Sequence, residues 1–347
     1  MKIILHCFEY ERAHSPELEA ICEKVFYYKR HTGLRTNITL LPYNVYSRKH
    51  PELIANLLKN DYPFLEHDDA NRVEGLHCCY YINDPRLHNR KKIYREANIE
   101  HDYYYHLAQA ESHPIRKSFF RIEAWRFKHY QKILKHADLM IAVSTTDADY
   151  LRHQFPDKPV EFMPCFHTNN QITVKPGSSD FILYHGKLSV IENTQAALFL
   201  IRNVFSKLDC RCIIAGMNPP ASLLKTAAPY PNIHIEANPS EEQMNDLIHN
   251  AQIHALITFQ ATGLKLKLLN SLFAGRHTVV NRLMIAGSGL ESLCHIADTP
   301  DEMVCICRKL MHTDMAPESI EQRRDFLYPT YSNQYQGEHL LHLIYEV

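Results

Sequence analysis

The stretch Thr258-Phe259-Gln260-Ala261-Thr262-Gly263-Leu264-Lys265-Leu266-Lys267-Leu268-Leu269-Asn270-Ser271-Leu272-Phe273-Ala274-Gly275 constrains the fold more than any other part of the chain. An apolar run over residues 254–259 with two β-branched members stops, passes a glycine, and becomes a helical apolar pattern closed by Gly275. That order is strand, glycine turn, helix. A helix opening just after Gly263 directs its unpaired N–H groups and positive dipole end above the strand, and Lys265 and Lys267 add charge beside it. Such a place suits a phosphate. A buried helix whose two lysines merely reach water accounts for this stretch equally well, so the choice rests on the rest of the chain.

The same alternation recurs along the sequence. Residues 1–8 read as a strand and 15–28 as a helix capped by Ser15, with Leu18, Ile21, Cys22, Val25 and Phe26 as its buried stripe. Residues 38–41 are a second strand candidate, 51–58 a short helix opened by proline, 61–72 a polar irregular segment, and 76–82 a further apolar run. A long helical stretch over 114–136 carries Phe119, Phe120, Ile122, Trp125 and Tyr130. It precedes a strand at 139–144, a helix to His153 capped within residues 145–147, and a strand at 160–164. Residues 165–180 lack periodicity and are rich in turn formers, which sets a domain boundary. The pattern then restarts with strands at 181–184, 212–215, 233–235 and 278–281, a helix over 191–208, and helices opened by the capping boxes at Ser240 and Thr299. The last sixteen residues, 332–347, read as one more helix. Strands alternating with helices predict a mostly parallel, doubly wound α/β sheet in each half.

A chain of 347 residues has room for two domains, each with its own core. Apolar residues at 45% and charged ones at 22% are those of a globular protein, and no apolar run approaches the ~20 residues of a membrane span. Met1 to Phe8 is too short an apolar run for a signal peptide, which places the protein in the cytoplasm, free or peripheral at the inner membrane. The ten cysteines are scattered in apolar contexts without a Cys-x-x-Cys spacing, as reduced core residues are. His67, Asp68, Asp69 and His77 could be imagined as metal ligands, but a polar loop is the simpler reading, and no metal is expected. A net charge of −1 argues against a nucleic-acid footprint, which would need a strong basic excess on one face, and leaves room for local basic patches.

Three blocks in order, Tyr184-His185-Gly186-Lys187-Leu188-Ser189-Val190-Ile191-Glu192-Asn193, Ile214-Ala215-Gly216, and Thr262 to Asn270, resemble a retaining nucleotide-sugar glycosyltransferase of the GT-B, group 1 type. Asn98-Ile99-Glu100-His101-Asp102-Tyr103-Tyr104, the Glu123 helix and the 137–144 strand with Asp147 resemble the matching block of bacterial mannosyltransferase-like members. The resemblance implies two Rossmann-like domains with a cleft between them: residues 1–166 on the acceptor side, 180–330 binding the nucleotide-diphosphate sugar, and a helix over 331–347 returning to the first domain. It also implies transfer of a hexosyl, by this block mannosyl, group to a glycan or lipid-linked acceptor with retention, as in polysaccharide biosynthesis. By position, Gly186, Lys187, Gly263 and Lys267 fall on the donor diphosphate. Thr262, Lys265 and Asn270 fall near the donor sugar, and Asn98, His101 and Asn270 in catalytic places. Lysines facing the diphosphate make a metal or other cofactor unnecessary.

Four positions depart from the family's pattern. Thr262 and Asn270 stand where two acidic residues eight apart are usual, Ala97 where many relatives have histidine, and Glu192 where a second phosphate-binding lysine or arginine is common. A second reading follows: a GT-B nucleotide-sugar-binding or regulatory module that has lost turnover. A GT-B epimerase is a third, without a distinctive residue here. The family also opens with a strand and glycine-rich loop, whereas residues 1–8 match its second βα unit, so a missing first βα unit or an upstream start is expected.

Overall fold

A computed structural model describes residues 3–9, 16–33, 36, 38–59, 64–67, 75–260 and 265–346. The chain forms two compact units, Met1–Met163 and Pro164–Val347.

In the first unit, β1 (Ile4–Phe8) leads through α1 (Pro16–Ile21) to β2 (Lys24–Tyr28), and the two strands pair in parallel with Ile4 opposite Lys24. The single helix expected over 15–28 is therefore wrong. Its second half, Val25-Phe26-Tyr27-Tyr28, is a β-branched and aromatic run that packs best on a pleated surface. Phe26 and Tyr28 share a face and stack on His6, with ring centroids at 5.0 and 5.9 Å. Ile21, expected inside, is 65% exposed. The strand expected at 38–41 does not form, and Ile38 and Leu40 face solvent. α2 (Tyr43–Tyr46) and α3 (Pro51–Lys59) follow, the latter opened by its proline as expected.

A four-stranded parallel sheet has the order β3-β4-β5-β6, made of β3 (Phe64–His67), β4 (Lys91–Glu96), β5 (Leu139–Ala142) and β6 (Val160–Phe162). β3 lies in the segment expected to be irregular. Residues 76–81, another apolar run, form a 3-10 turn rather than a strand. α4 (Glu100–Ala110) and α5 (Pro114–Tyr130) pack as a helical hairpin, and α6 (Thr145–Gln154) is capped by Ser144, whose hydroxyl accepts from the Asp147 N–H at 3.0 Å. The cap sits one residue earlier than expected. Val45, Leu76, Tyr94, Phe127, Leu134 and Met140 form the core on this sheet.

The second unit holds a six-stranded parallel sheet in the order β12-β11-β10-β7-β8-β9. Its elements run β7 (Phe181–His185), α7 (Ile191–Asn203), β8 (Arg211–Gly216), α8 (Ala221–Ala227), β9 (Ile233–Ala237), α9 (Glu241–Asn250), β10 (Ile253–Leu256), α10 (Leu266–Ala274), β11 (His277–Val280), α11 (Arg282–Ile285), β12 (His295–Ile296), α12 (Pro300–Leu310), α13 (Pro317–Tyr331) and α14 (Asn333–Glu346). Both expected capping boxes form: Ser240 with Gln243 opens α9, and Thr299 with Glu302 opens α12. The sequence reading had no counterpart of α8 or α13.

α10 is fixed at its C-terminus. The buried guanidinium of Arg323 on α13 donates to the carbonyls of Leu272 (3.0 Å), Gly275 (2.7 Å) and Arg276 (2.7 Å), so side-chain donors satisfy carbonyls that the helix leaves open. A Cβ at Gly275 would lie 2.1 Å from His254 Nε2, which is why this helix stop admits glycine alone. The ten cysteines are thiols rather than disulfides; Cys7, Cys79, Cys212 and Cys307 are buried, whereas Cys305 is exposed. Among the described residues no helix is long and apolar enough to cross a membrane.

Candidate donor site

The strand order of the second unit reverses direction between β7 and β10, its two central strands. Helices leaving their C-terminal ends diverge to opposite faces, and in open α/β sheets that crevice is where ligands bind.

β7 ends at His185 and turns through Gly186 and Lys187 into α7. The turn is pressed against the end of β8: a Cβ at Gly216 would fall 1.8 Å from the Gly186 carbonyl oxygen. Asn193, in the first turn of α7, clasps the turn from above. Its Nδ2 donates to the Lys187 carbonyl at 3.1 Å, its backbone carbonyl accepts from Tyr184 OH at 3.1 Å, and its Oδ1 accepts from Lys267 Nζ at 2.7 Å. Asn193 thus joins the β7–α7 turn to the start of α10.

The Lys267 ammonium also lies over the Tyr184 ring, 5.0 Å from its centroid. Burial of the side chain pushes its pKa down to about 8; the nearby Glu192 carboxylate opposes that fall and Lys265 adds to it. A cation held at reduced hydration is one that an incoming anion would stabilise. The Lys187 ammonium is exposed.

On the β10 side, Thr258 is clamped by Asn281, which accepts from its N–H (3.2 Å) and donates to its carbonyl (2.7 Å). Its hydroxyl makes a short hydrogen bond to Glu192 Oε1 and accepts from the Gln260 N–H. Lys265 stands at the N-cap position of α10, and among the described residues no side chain caps that helix or α7. Two uncapped helix starts, a half-buried ammonium and a close-packed glycine turn meet at the switch point. Together they can hold an anion with at least two charged oxygens.

The Lys187 backbone carbonyl and Lys267 Nζ both bond to Asn193, whose side chain packs against Gly186, while the Lys187 side chain is exposed. Asn270 lies one turn further along α10, where its Oδ1 accepts from Asn169 Nδ2 at 2.9 Å. Thr262 and Gly263 lie outside the described residues. The sequence reading missed Asn193, Thr258, Tyr184 and Asn281 as parts of the site, and it treated Glu192 only as a departure. The contacts that cross the site, Asn193 to Lys267, Glu192 to Thr258 and Asn281 to Thr258, join residues distant in sequence, so local spacing does not mark them.

In the first unit, Asn98 lies in the bend between β4 and α4, and its backbone N–H faces the Glu96 carboxyl. His101 is half-buried, 3.5 Å from the Asp102 carboxylate and 5.8 Å, centroid to centroid, from the Tyr150 ring. Burial holds the imidazole below its ordinary range, while Asp102 acts against that. Glu96 and Glu100 are both buried around the end of β4. Burial lifts Glu96 well above the carboxylate range, and the Glu100 carboxyl, 3.4 Å from His77 Nδ1, is pushed up to about 8 by burial with Arg48 opposing. Of the imagined metal ligands, His77 is described and pairs with Glu100; Asp68 and Asp69 lie outside the described residues, and for His67 only the backbone is described.

Glu100 carries a consequence for stability. A carboxyl whose folded pKa exceeds its unfolded value binds its proton more tightly in the native state, so stability falls as pH rises from about 4.5 to about 8. Glu100→Gln should flatten that slope. Urea midpoints measured from pH 5 to 8 check this, and an unchanged slope refutes it.

No protein-family model matches the sequence, and no curated protein does. Solved structures do match. The fold is similar to Anabaena Alr3699/HepE, solved with UDP and glucose, at a TM-score of 0.67 and 9% identity over 99% of this chain and 92% of that one. It is similar to sucrose-phosphate synthase of Thermosynechococcus elongatus at 0.64 and 13% identity, covering 96% and 85%. The UDP-forming α,α-trehalose-phosphate synthase of Burkholderia vietnamiensis gives 0.60 at 10% identity, covering 98% and 93%. These neighbours are GT-B glycosyltransferases. The chain has the GT-B fold. It spans 60% of the matched chain in the GtfA/B complex, at a TM-score of 0.54.

Proposed function

We propose that this GT-B protein is a hexosyltransferase that takes its donor as a nucleotide-diphosphate sugar at the β7/β10 switch point. The observation that carries the reading is the Lys267 ammonium, half-buried and bridged by Asn193 to the Gly186–Lys187 turn, beside the uncapped starts of α7 and α10. Glycosyl transfer through an oxocarbenium-like transition state builds negative charge on the departing diphosphate, and fixed donors aimed at that charge are the main catalytic service. Lys267, Lys187 and the two helix starts supply it. The nucleotide and hexose of the HepE structure support this donor class. The finer reading is mannosyl transfer with retention to a glycan or lipid-linked acceptor, with Asn98 and His101 of the first unit on the acceptor side.

Because the charge is met by lysines and helix dipoles, transfer should need no metal. Turnover of a sugar nucleotide should survive exhaustive chelation; a loss restored by a divalent cation would refute this assignment. A binding-only module is the second reading. It draws on Asn270, an amide tied to Asn169 and so unable to give the charge-assisted bonds of a carboxylate. A thermal-shift panel of sugar nucleotides followed by a turnover assay separates the two. Stabilisation with product formation supports the transferase, and stabilisation without hydrolysis or transfer to any acceptor supports the module.

A further inference from the structure

We propose that the outer face of α5 docks on an anionic lipid surface. Ile115, Ile122 and Trp125 are 75, 50 and 53% exposed. Their spacing of seven and then three residues puts them on one side of the 17-residue helix. Arg121 and Lys128 are exposed beside that stripe, Arg116 is exposed at its other edge and pairs with the buried Glu111 carboxylate at 3.1 Å, and Lys132 and Lys135 extend the basic margin along the following 3-10 turn. The one carboxylate of α5, Glu123, is buried, where it accepts from Arg126 and from the Tyr43 N–H, each at 2.8 Å. The exposed part of the helix is therefore apolar and cationic without an acidic residue. The whole chain carries a net charge of only −1, so this is a local concentration and not a reflection of composition.

An exposed apolar stripe with Arg and Lys beside it and tryptophan within it is the pattern of a helix lying in the headgroup layer. Tryptophan is at home at that depth, with its ring against acyl chains and its N–H in the polar zone. The flanking lysines and arginines bury their stems while their heads reach lipid phosphates. Charge selects the occupant: a face without carboxylates suits a negatively charged bilayer. This inference stands apart from the donor-site reading and does not depend on it.

The chain has a single tryptophan, and it lies on this face, so intrinsic fluorescence reports docking directly. The test titrates the full-length protein with phosphatidylcholine vesicles and with vesicles containing phosphatidylglycerol, following Trp emission and co-sedimentation. The expected result is a blue shift and sedimentation with the anionic vesicles, weakened at least about tenfold by raising salt or by the double variant Arg121→Glu, Lys128→Glu. That variant keeps the tryptophan, and an unchanged melting temperature shows that it is folded. Trp125→Ser should lose co-sedimentation as well. Absence of any shift with anionic vesicles overturns the proposal, as does equal binding to neutral vesicles or undiminished binding by the charge-reversed variant. A blue shift that grows with protein concentration without vesicles marks self-association through this face, and it overturns the proposal too.

Discussion

Lys267→Ala should weaken the binding of a nucleoside diphosphate by about 10- to 150-fold, the ~1.5–3 kcal/mol of a hydrogen bond to a charged group. The ammonium is placed by Asn193 and by the Tyr184 ring, so the alanine variant loses the cation without disturbing the turn beneath it. The pH dependence has a defined sign. The folded pKa near 8 means that the lysine sheds its proton in the free protein as pH rises through 8, and affinity should fall over that interval. Stability runs the other way. The unfolded lysine holds its proton to about 10.5, so between about 8 and 10.5 the unfolded state binds more protons and native stability rises with pH. Calorimetric titrations at pH 7 and pH 9 check the first statement. Equal affinity of wild type and Lys267→Ala at pH 7 would remove Lys267 from the site.

Gly216→Ala should be the most damaging single methyl in the second unit. The added Cβ would fall 1.8 Å from the Gly186 carbonyl oxygen and 3.1 Å from Leu188 Cγ, and the first neighbour is backbone, which cannot rotate away. Over-packing of this kind costs about 3 kcal/mol or more, which in a unit of this size lowers the melting temperature by about 6–12 °C. The strain falls on the Gly186 turn, so nucleotide affinity should drop in the fraction that folds. Gly337→Ala is the control, because nothing lies within 4 Å of its Cβ position and alanine suits the α14 helix. It should be neutral or slightly stabilising. Equal melting temperatures for the two variants would contradict the close approach of β8 to the β7 turn.

What could be read from the sequence was local. The capping boxes at Ser240 and Thr299 depend on groups three residues apart, and both form. Apolar runs alternating with helical patterns sufficed for a doubly wound sheet, because a buried parallel strand needs only its own side chains to declare itself. The misreading of residues 22–28 shows the limit: helix-forming residues 16–21 run without a break into a strand, and only pairing with β1 separates them. The site shows the same limit more sharply. Asn193 meets Lys267 across 74 residues and Glu192 meets Thr258 across 66, so neither pair leaves a trace in local spacing. The glycines and lysines were legible because their backbone and charge roles are local; the amides and hydroxyl that orient them were not.

The Glu192 carboxylate, hydrogen-bonded to Thr258 beside Lys267, lowers the positive charge that a diphosphate would meet, and it favours the protonated lysine. Glu192 therefore offsets part of the positive charge of Lys267 before the donor arrives. A nucleotide would have to compete with Glu192 and Asn193 for Lys267, which predicts weaker binding of the nucleoside diphosphate than two unopposed lysines would give.

The measurement that bears most directly on the donor-site claim is a crystal structure of the protein with a nucleoside diphosphate at saturating concentration. The diphosphate should lie at the β7/β10 switch point, hydrogen-bonded to Lys267 Nζ and to N–H groups at the start of α10. A nucleotide bound elsewhere, with the contact between Lys267 and Asn193 intact, would contradict it.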